Sequence, residues 1–575
     1  MDYINYRSGP TLHLVTLVVL CGLLFFPYLG WFPFFNKGEP REALVVQEIF
    51  LHGNWLFPLK WGEEIPSKPP LFHWFAALSS MAWGEVTEAT ARFPSALFAS
   101  LSVLSLYILG GRLFDPKIAL LGGVILATSV GYQAQAISAR VDMTLSFFTT
   151  LTLVTFYLLY QGFLRGRLWT YGFYLILGVS VLAKGPVGLI LPGMVICAFL
   201  GIRKRWDFLS RLCFHKGVVL TLLIGISWYG MALLKGGEDF FNRQIIQENL
   251  ARFFVYGEGG SGHQKPVYYY LPYLFLEGLP WSIFLPFIVI DWIKGRFFTE
   301  EGSLFLLLWV LVIFAFFSLS AGKRPVYLLP LYPPLSLLIA SWFRQARKAG
   351  EITAIGLRFL GGFFVVVGLT VGALIFSLAW GKGFPSAATD MLKPKDQLGI
   401  LFVQRSFEQG GWIFFAFLAV FLLLWIFLTW DLFRVRLRQI PIKLAWLSLI
   451  AWMLVQSTFI PAIAEARSYG SFMREVNRRL VKGDPLYLYG EAFDSTPLFF
   501  YRGGPILVLE ETPEGLVERL SSGQDHVIMA EKEWQQIRAV HRALPAPVLR
   551  SAGSGPDGNA PLVLIRGMKF AGAKE

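Results

Sequence analysis

Thirteen mainly apolar stretches, each near the roughly 20 residues that a membrane-spanning helix needs, occupy the first 464 positions of the chain. They centre on residues 11–33, 90–112, 117–136, 142–162, 169–184, 186–202, 215–235, 269–293, 303–321, 325–343, 356–380, 411–433 and 442–464. The fifth and sixth are short and nearly continuous. A chain patterned in this way is built for lipid. Of its 575 residues 55% are hydrophobic and only 15% charged, where soluble domains carry about 25% charged residues. The 53 Phe and 19 Trp suit lipid-facing helices and interfacial belts. The expected fold class is a polytopic α-helical membrane protein of about 13 transmembrane helices.

Loop charge orients these helices. With the N-terminus in the cytoplasm, the even-numbered helices end inside. The inner loops then hold Arg112 and Lys117; Arg165 and Arg167; Arg203, Lys204, Arg205, Arg211 and Lys216; Lys294 and Arg296; Arg344, Arg347 and Lys348; Arg434, Arg436, Arg438 and Lys443. Each is short and basic, as the positive-inside rule asks. The net charge of +13 therefore calls for no nucleic acid. The first apolar run is too long for an ordinary signal segment and no small-residue cleavage site follows, so it reads as a retained anchor. Of the three cysteines, Cys21 and Cys197 lie in apolar runs and Cys213 in a basic loop. No disulfide framework is expected.

Three outward loops are long. In the first, residues 34–88, Val45, Val46, Ile49 and Phe50 recur at helical spacing with Glu42, Gln47 and Glu48 off that face. The pattern predicts a helix over 41–52 lying in the interface. A second short helix is expected at 70–83, with Trp74 and Trp83 as belt residues. The loop 236–268 carries "GEGGSGHQKP" and is expected to be mobile until something binds. The third, 381–410, shows no clear pattern. After residue 465 short apolar runs ("PLYLYG", "PILVLEE", "HVIMAE", "PLVLIRG") alternate with helical stretches at 513–521 and 531–543. They predict a soluble α/β domain on the outer face, without a nucleotide-binding glycine fingerprint.

Several charged residues stand out against the apolar background. Glu39, in "FNKGEPREALVV", follows directly on the first apolar run. It reads either as an acidic cap of helix 41–52, favoured by the helix dipole by about 0.3–1 kcal/mol, or as a group that orients or deprotonates an acceptor. Asp142, in "SARVDMTLSFF", opens the fourth helix, where a charge costs about 2.5–3.5 kcal/mol on insertion scales and tends to be functional. The alternative is a helix-opening Asp paired with Arg140. On the same expected face lie Lys68 in "PSKPPLFHW", Lys184 in "LAKGPVG", Arg252 in "ENLARFF", and Lys323 with Arg324 in "SAGKRPVYLLP". Outward cations oppose the general bias. They suit snorkelling to headgroups or a phosphate, which Arg grips as a fork and Lys as a point charge.

A groove between helices, a phosphate clamp at its outer mouth and carboxylates beside it describe a machine that takes a lipid phosphate and transfers its headgroup. No CxxC or His-rich pattern appears and no metal is demanded, although two carboxylates could hold a divalent cation. A flippase would use the same groove and clamp without bond chemistry. Transporters often carry internal repeats, and none is visible here.

"GEPREALVVQEIFLHGNWLFPLKWGEEIPSKPPLFHWFAAL", "ARVDMTLSFF", "LAKGPVGLILPG", "ENLARFF", "YYYLPYLFLEGLPW" and "FSLSAGKRPVYLLPLYPPL" together resemble the GT-C polyprenyl-phosphate-sugar glycosyltransferases. Within that group the chain is similar to lipid A aminoarabinose transferases and, more distantly, to protein O-mannosyltransferases. The resemblance covers about residues 30–345; beyond it only the layout matches. It implies sugar transfer from a polyprenyl phosphate to lipid A or another acceptor, lipid or protein, at the periplasmic face of a bacterial inner membrane. It implies acceptor-side roles for Glu39 and Asp142 and donor-phosphate roles for Lys68, Lys323 and Tyr327, with Arg252 matching a basic position of the mobile loop. The family reads Asp-Glu at the first-loop motif and credits the Asp with catalysis; this chain reads Gly38-Glu39. Either Glu39 takes over, or the acceptor is a phosphate already ionised at neutral pH.

Overall fold

In hydrocarbon no water satisfies the backbone, so an apolar stretch of spanning length must close its own hydrogen bonds as a helix. The structure, a computed structural model, has helix within each of the thirteen stretches. It describes residues 5–60, 64–65, 67–212, 214–251, 264–294, 300–345, 351–379, 397, 400, 404–405, 408, 411–480, 484–490, 494–523, 525–542, 544–553, 555–556 and 560–567. Among these residues eight helices are long and apolar enough to cross a membrane, or up to 10 if each bent pair is one span. The protein is a multi-pass membrane protein. Large apolar side chains such as Phe359 and Ile426 stand exposed on these helices, as a lipid-facing surface requires.

The chain divides into two compact units, one of Met1–Leu29, Val45–Gly368 and Ala419–Met453, the other of Gly30–Leu44, Leu369–Leu418 and Leu454–Glu575. In the first unit, helix ends follow local capping chemistry. Thr87 accepts from Thr90 N at 3.2 Å while Thr90 Oγ1 accepts from Thr87 N at 2.9 Å, a reciprocal cap for the helix Glu88–Leu113. Asp115 accepts from Lys117 N and Ile118 N at 2.7 and 2.9 Å and Pro116 opens the next helix. Gly110 and Gly122 let these two helices pack against Leu337 of the helix Tyr332–Gln345. Ion pairs join helix ends on the side the loop charges assign to the cytoplasm: Arg203 with Glu301 at 2.8 Å, Arg344 with Asp115, and Lys443 with Asp431.

Two expected spans are broken. Residues 117–136 form Pro116–Thr128 and Val130–Ala136, bent by 68°, and residues 269–293 form Val267–Glu277 and Trp281–Ile293, bent by 110°. The second break falls at Gly278 and Pro280, where the helical ladder lacks a donor and a stiff side chain. The breaks are joined to each other. Val130 N donates to Leu279 O at 2.9 Å, and Trp281 Nε1 donates to Thr128 Oγ1 at 2.9 Å. Two further expectations are corrected. The first helix ends at Phe25 rather than near 33. Trp74, expected in the headgroup belt, instead turns inward and donates to Trp55 O at 2.7 Å, while Trp83 is exposed.

The second unit holds a five-stranded sheet, β1 (Leu486–Tyr489), β2 (Leu507–Leu509), β3 (His526–Ala530), β4 (Pro547–Arg550) and β5 (Leu562–Arg566), in the order β2-β1-β3-β5-β4. β1 runs parallel to β2 and β3, and β5 runs antiparallel to β3 and β4. Period-2 alternation sorts its side chains. Leu486, Leu488, Ile528 and Leu564 pack with Phe472, Met473 and Val476 of the helix Gly470–Arg479. Val527, Met529, Val563 and Ile565 pack on the other face with Leu516, Leu520 and Trp534. Strand β4 and the helices Gly470–Arg479 and Thr496–Arg502 add to the elements expected from sequence. The start of the first loop belongs to this unit: Phe34 N donates to Tyr501 Oη at 2.8 Å, and the Phe34 and Phe500 rings lie 5.0 Å apart.

Candidate functional site

Asp142 stands in the first turn of the helix Val141–Tyr160, only 4% exposed. Lys184, at the last turn of the helix Arg167–Lys184, donates to its Oδ1. Arg140 Nε lies 3.8 Å from the other carboxylate oxygen, so the pairing with Arg140 expected for a bland helix opening is the weaker of two. The Lys184 ammonium also sits 4.4 Å from the centroid of the Tyr327 ring, a favourable place for a cation. Three of the sequence-derived residues therefore meet at one point.

The turn after Lys184 explains why they meet there. Gly185 has φ +86°, a region that glycine adopts at no steric cost, and a Cβ on it would lie 2.8 Å from Tyr229 Oη and 3.1 Å from Asn249 Oδ1. Gly188 permits the next helix to return so closely that a Cβ there would fall 2.0 Å from Ser180 O. This tight hairpin holds Lys184 against Asp142 and Tyr327.

Asn249 leads to the next residue of the set. It belongs to Phe241–Ala251, eleven residues of π-helix that follow a kink at Gly237; π-helical turns are rare and concentrate at functional sites. Its neighbour Glu248 accepts from Lys68 Nζ at 2.6 Å, with both side chains largely buried. Arg243 of the same segment lies 3.3 Å from Glu64 Oε1. The π-helical segment thus links the Lys68 turn to the Lys184 turn. Residues 252–263, which carry Arg252 and the glycine-rich stretch, lie outside the described residues. They leave from Ala251 and re-enter at Gln264, which pairs with Gly322 next to Lys323.

Lys323 is 3% exposed and donates to Ser320 O. It lies between helices, and burial pulls its ammonium below the usual lysine range. Arg324 N donates to Tyr270 Oη at 3.2 Å, and Tyr327 packs on Phe317 with ring centroids 5.3 Å apart. If Lys323 must be charged to act, activity declines on the alkaline side as this proton leaves earlier than from an exposed lysine. Lys323→Arg, whose charge persists above pH 12, should move that decline up by at least about one pH unit, as a pH–rate profile of the two proteins will show.

Glu39 belongs to the other compact unit. It lies within the helix Gly38–His52, which begins earlier than the expected 41–52. The cap is Asn36 rather than Glu39: Asn36 Oδ1 accepts from Gly38 N and Glu39 N at 2.9 and 3.0 Å. Asn36 Nδ2 in turn donates to Glu39 Oε2 at 2.7 Å, leaving the side chain 2% exposed and fixed in orientation. Glu39 keeps the first-turn place that the helix dipole favours, while Asn36 caps the backbone and fixes its carboxylate.

The sequence reading took Arg252 from "ENLARFF" and passed over Glu248 in the same motif. The signal it lacked is a contact across 180 residues. Another pair it did not single out is Glu277 with Tyr332, whose Oη donates to Glu277 Oε2 at 3.1 Å beside the second helix break. Among the described residues no three His, Cys, Asp or Glu side chains gather to hold a metal ion.

The profile of the dolichyl-phosphate-mannose-protein mannosyltransferase family matches residues 67–229. An undecaprenyl phosphate-alpha-4-amino-4-deoxy-L-arabinose arabinosyl transferase of Pseudomonas aeruginosa is 31% identical over 345 residues, covering 59% of this chain and 61% of that one. Its counterpart in Edwardsiella ictaluri is 30% identical over 375 residues, covering 64% and 65%. The chain therefore spans somewhat less than two thirds of the length of these relatives. The crystal structure of ArnT from Cupriavidus metallidurans bound to undecaprenyl phosphate superposes with a TM-score of 0.72 at 20% identity, covering 98% of this chain and 99% of that one. The apo structure of the same protein gives 0.71. The chain has the fold of ArnT.

Proposed function

We propose that the protein transfers a sugar from a polyprenyl phosphate, such as undecaprenyl phosphate, to lipid A or another extracytoplasmic acceptor. The observation that carries the reading is the meeting of Asp142, Lys184 and Tyr327, with Lys68 and Lys323 on segments tied to the same turn. The names of the sequence relatives support the donor class. On this reading thirteen spans cross a bacterial inner membrane, and the site and the C-terminal sheet domain face the periplasm. The basic inner loops support that orientation.

The chemistry follows from the donor. An acceptor oxygen attacks the anomeric carbon of the sugar and forms a C–O bond. The C–O bond to the phosphate breaks, and its electron pair leaves on the phosphate oxygen. Charge develops there, so preorganised cations lower the barrier. Lys68, Lys323, Arg324 and Arg252 are the cations this reading assigns to the phosphate, and Tyr327 orients it. Lys184 pairs with Asp142 and fixes its orientation, and Asp142 positions the acceptor. An acceptor phosphate is already ionised and asks for no strong base, which suits Gly38 in place of the family Asp. The reading needs no metal cofactor.

A second acceptor reading, a protein hydroxyl, draws on the family match at residues 67–229. One experiment separates the readings. Purified protein is given an undecaprenyl-phosphate sugar in EDTA with a panel of lipid A, acceptor peptides and glycans. Sugar on lipid A with release of free undecaprenyl phosphate is the expected result. Labelled peptide alone would move the acceptor assignment. Donor crossing a vesicle membrane without phosphate release would make the protein a flippase.

A further inference from the structure

Lys68, assigned above to the donor phosphate, is not waiting for that phosphate with an open hand. Its ammonium is 2.6 Å from Glu248 Oε2, and the two side chains are 12% and 8% exposed. A carboxylate at that range, shielded from water, competes with any other anion for the same ammonium. The competition has a direction. The sugar-bearing donor is a phosphodiester with one negative charge. The product is a phosphomonoester, which carries close to two charges at neutral pH because its second pKa is about 6. A clamp built only of cations would hold the product more tightly than the donor and stall after each turnover.

We propose that Glu248 is the exchangeable counter-ion of Lys68. The donor phosphate displaces its carboxylate on binding, and the carboxylate returns to Lys68 as the product phosphate departs. The inference rests on the reading of Lys68 as a phosphate ligand. Glu248 acts through Lys68 and is a positioning residue; it touches no reacting atom. Its place on the π-helical segment suits the role. That segment is tied to the Lys68 turn by Glu248 and, through Asn249, stands against Gly185 beside Lys184.

The test uses the full-length protein in detergent with two probes, a soluble isoprenyl monophosphate and its methyl diester, measured by calorimetry. Glu248→Gln keeps the size and an acceptor oxygen but removes the competing charge. It is expected to tighten the monophosphate by about tenfold, the equivalent of one close charge pair, and the diester by less. Glu248→Asp keeps the charge and should bind as the parent does. In steady-state transfer Glu248→Gln should lower kcat and KM together, because product leaves slowly; a merely structural role would raise KM. Weaker or unchanged monophosphate binding in Glu248→Gln, with Lys68→Ala still weakening it, overturns the counter-ion role and leaves the site reading intact. Lys68→Ala without effect on either probe overturns the site reading itself.

Discussion

Asp142→Asn loses at least about 100-fold in sugar transfer, the scale of removing one preorganised electrostatic group from a buried reaction centre. The substitution changes no volume, so the helix Val141–Tyr160 keeps its packing. What it removes is the charge that Lys184 meets at 4.4 Å from the Tyr327 ring. Leaving one partner of a buried ion pair without the other costs about 3–5 kcal/mol, so a fall in thermal stability accompanies the loss of rate. A second variant separates the two effects. Asp142→Asn combined with Lys184→Met removes both charges and should recover most of the stability. If the rate recovers with it, Asp142 serves only as a counter-ion and its place beside the acceptor is wrong. A rate that stays low while the melting temperature returns assigns Asp142 to the reaction.

Gly188→Ala is expected to produce a large structural loss from a single methyl group. The new Cβ would fall 2.0 Å from Ser180 O, and a backbone oxygen cannot swing aside as a side chain can. The helices Arg167–Lys184 and Val187–Ile202 must separate, at the upper end of the roughly 1–3 kcal/mol that overpacking costs. Lys184 closes the first of these helices, so the ammonium moves off Asp142 and activity falls as well. Gly193→Ala in the same helix meets nothing within 4 Å and is the control. The monodisperse fraction after extraction and the melting temperature of both variants provide the check. Equal behaviour of the two would remove the tight hairpin from the account of the site.

The helices were legible because lipid demands a hydrophobic stretch of fixed length, and each apolar stretch has a helix within it. Their interruptions were harder to read. Ser129 carries no strong breaking signal, and Gly278 with Pro280 sits inside a long run that is mainly apolar on both sides apart from Glu277. Strand β4 escaped because only Val548 and Leu549 are apolar side chains between its opening proline and Arg550, which leaves no run of apolar residues to detect. Of the site, the residue types were legible and the partners were not. Asp142 and Lys184 drew attention as charges at helix ends, yet their direct contact comes from a hairpin set by Gly185 and Gly188. Asn36 was invisible as the cap of Glu39, because a helix start shifted by three residues moves the capping position with it. Glu248 needed a contact between segments far apart in sequence, which periodicity and composition do not encode.

The joined breaks of the two bent spans have a consequence for how such a chain can change over time. Val130 N meets Leu279 O, and Thr128 meets Trp281, so each interruption supplies what the other lacks. Straightening either segment alone would strand a main-chain group of its neighbour in oil. Substitutions at the two places must therefore arrive as pairs: drift at one is tolerated only when its opposite number drifts too. A collection of natural variants should show positions 128 and 281 varying in concert while the lipid-facing residues around them vary independently.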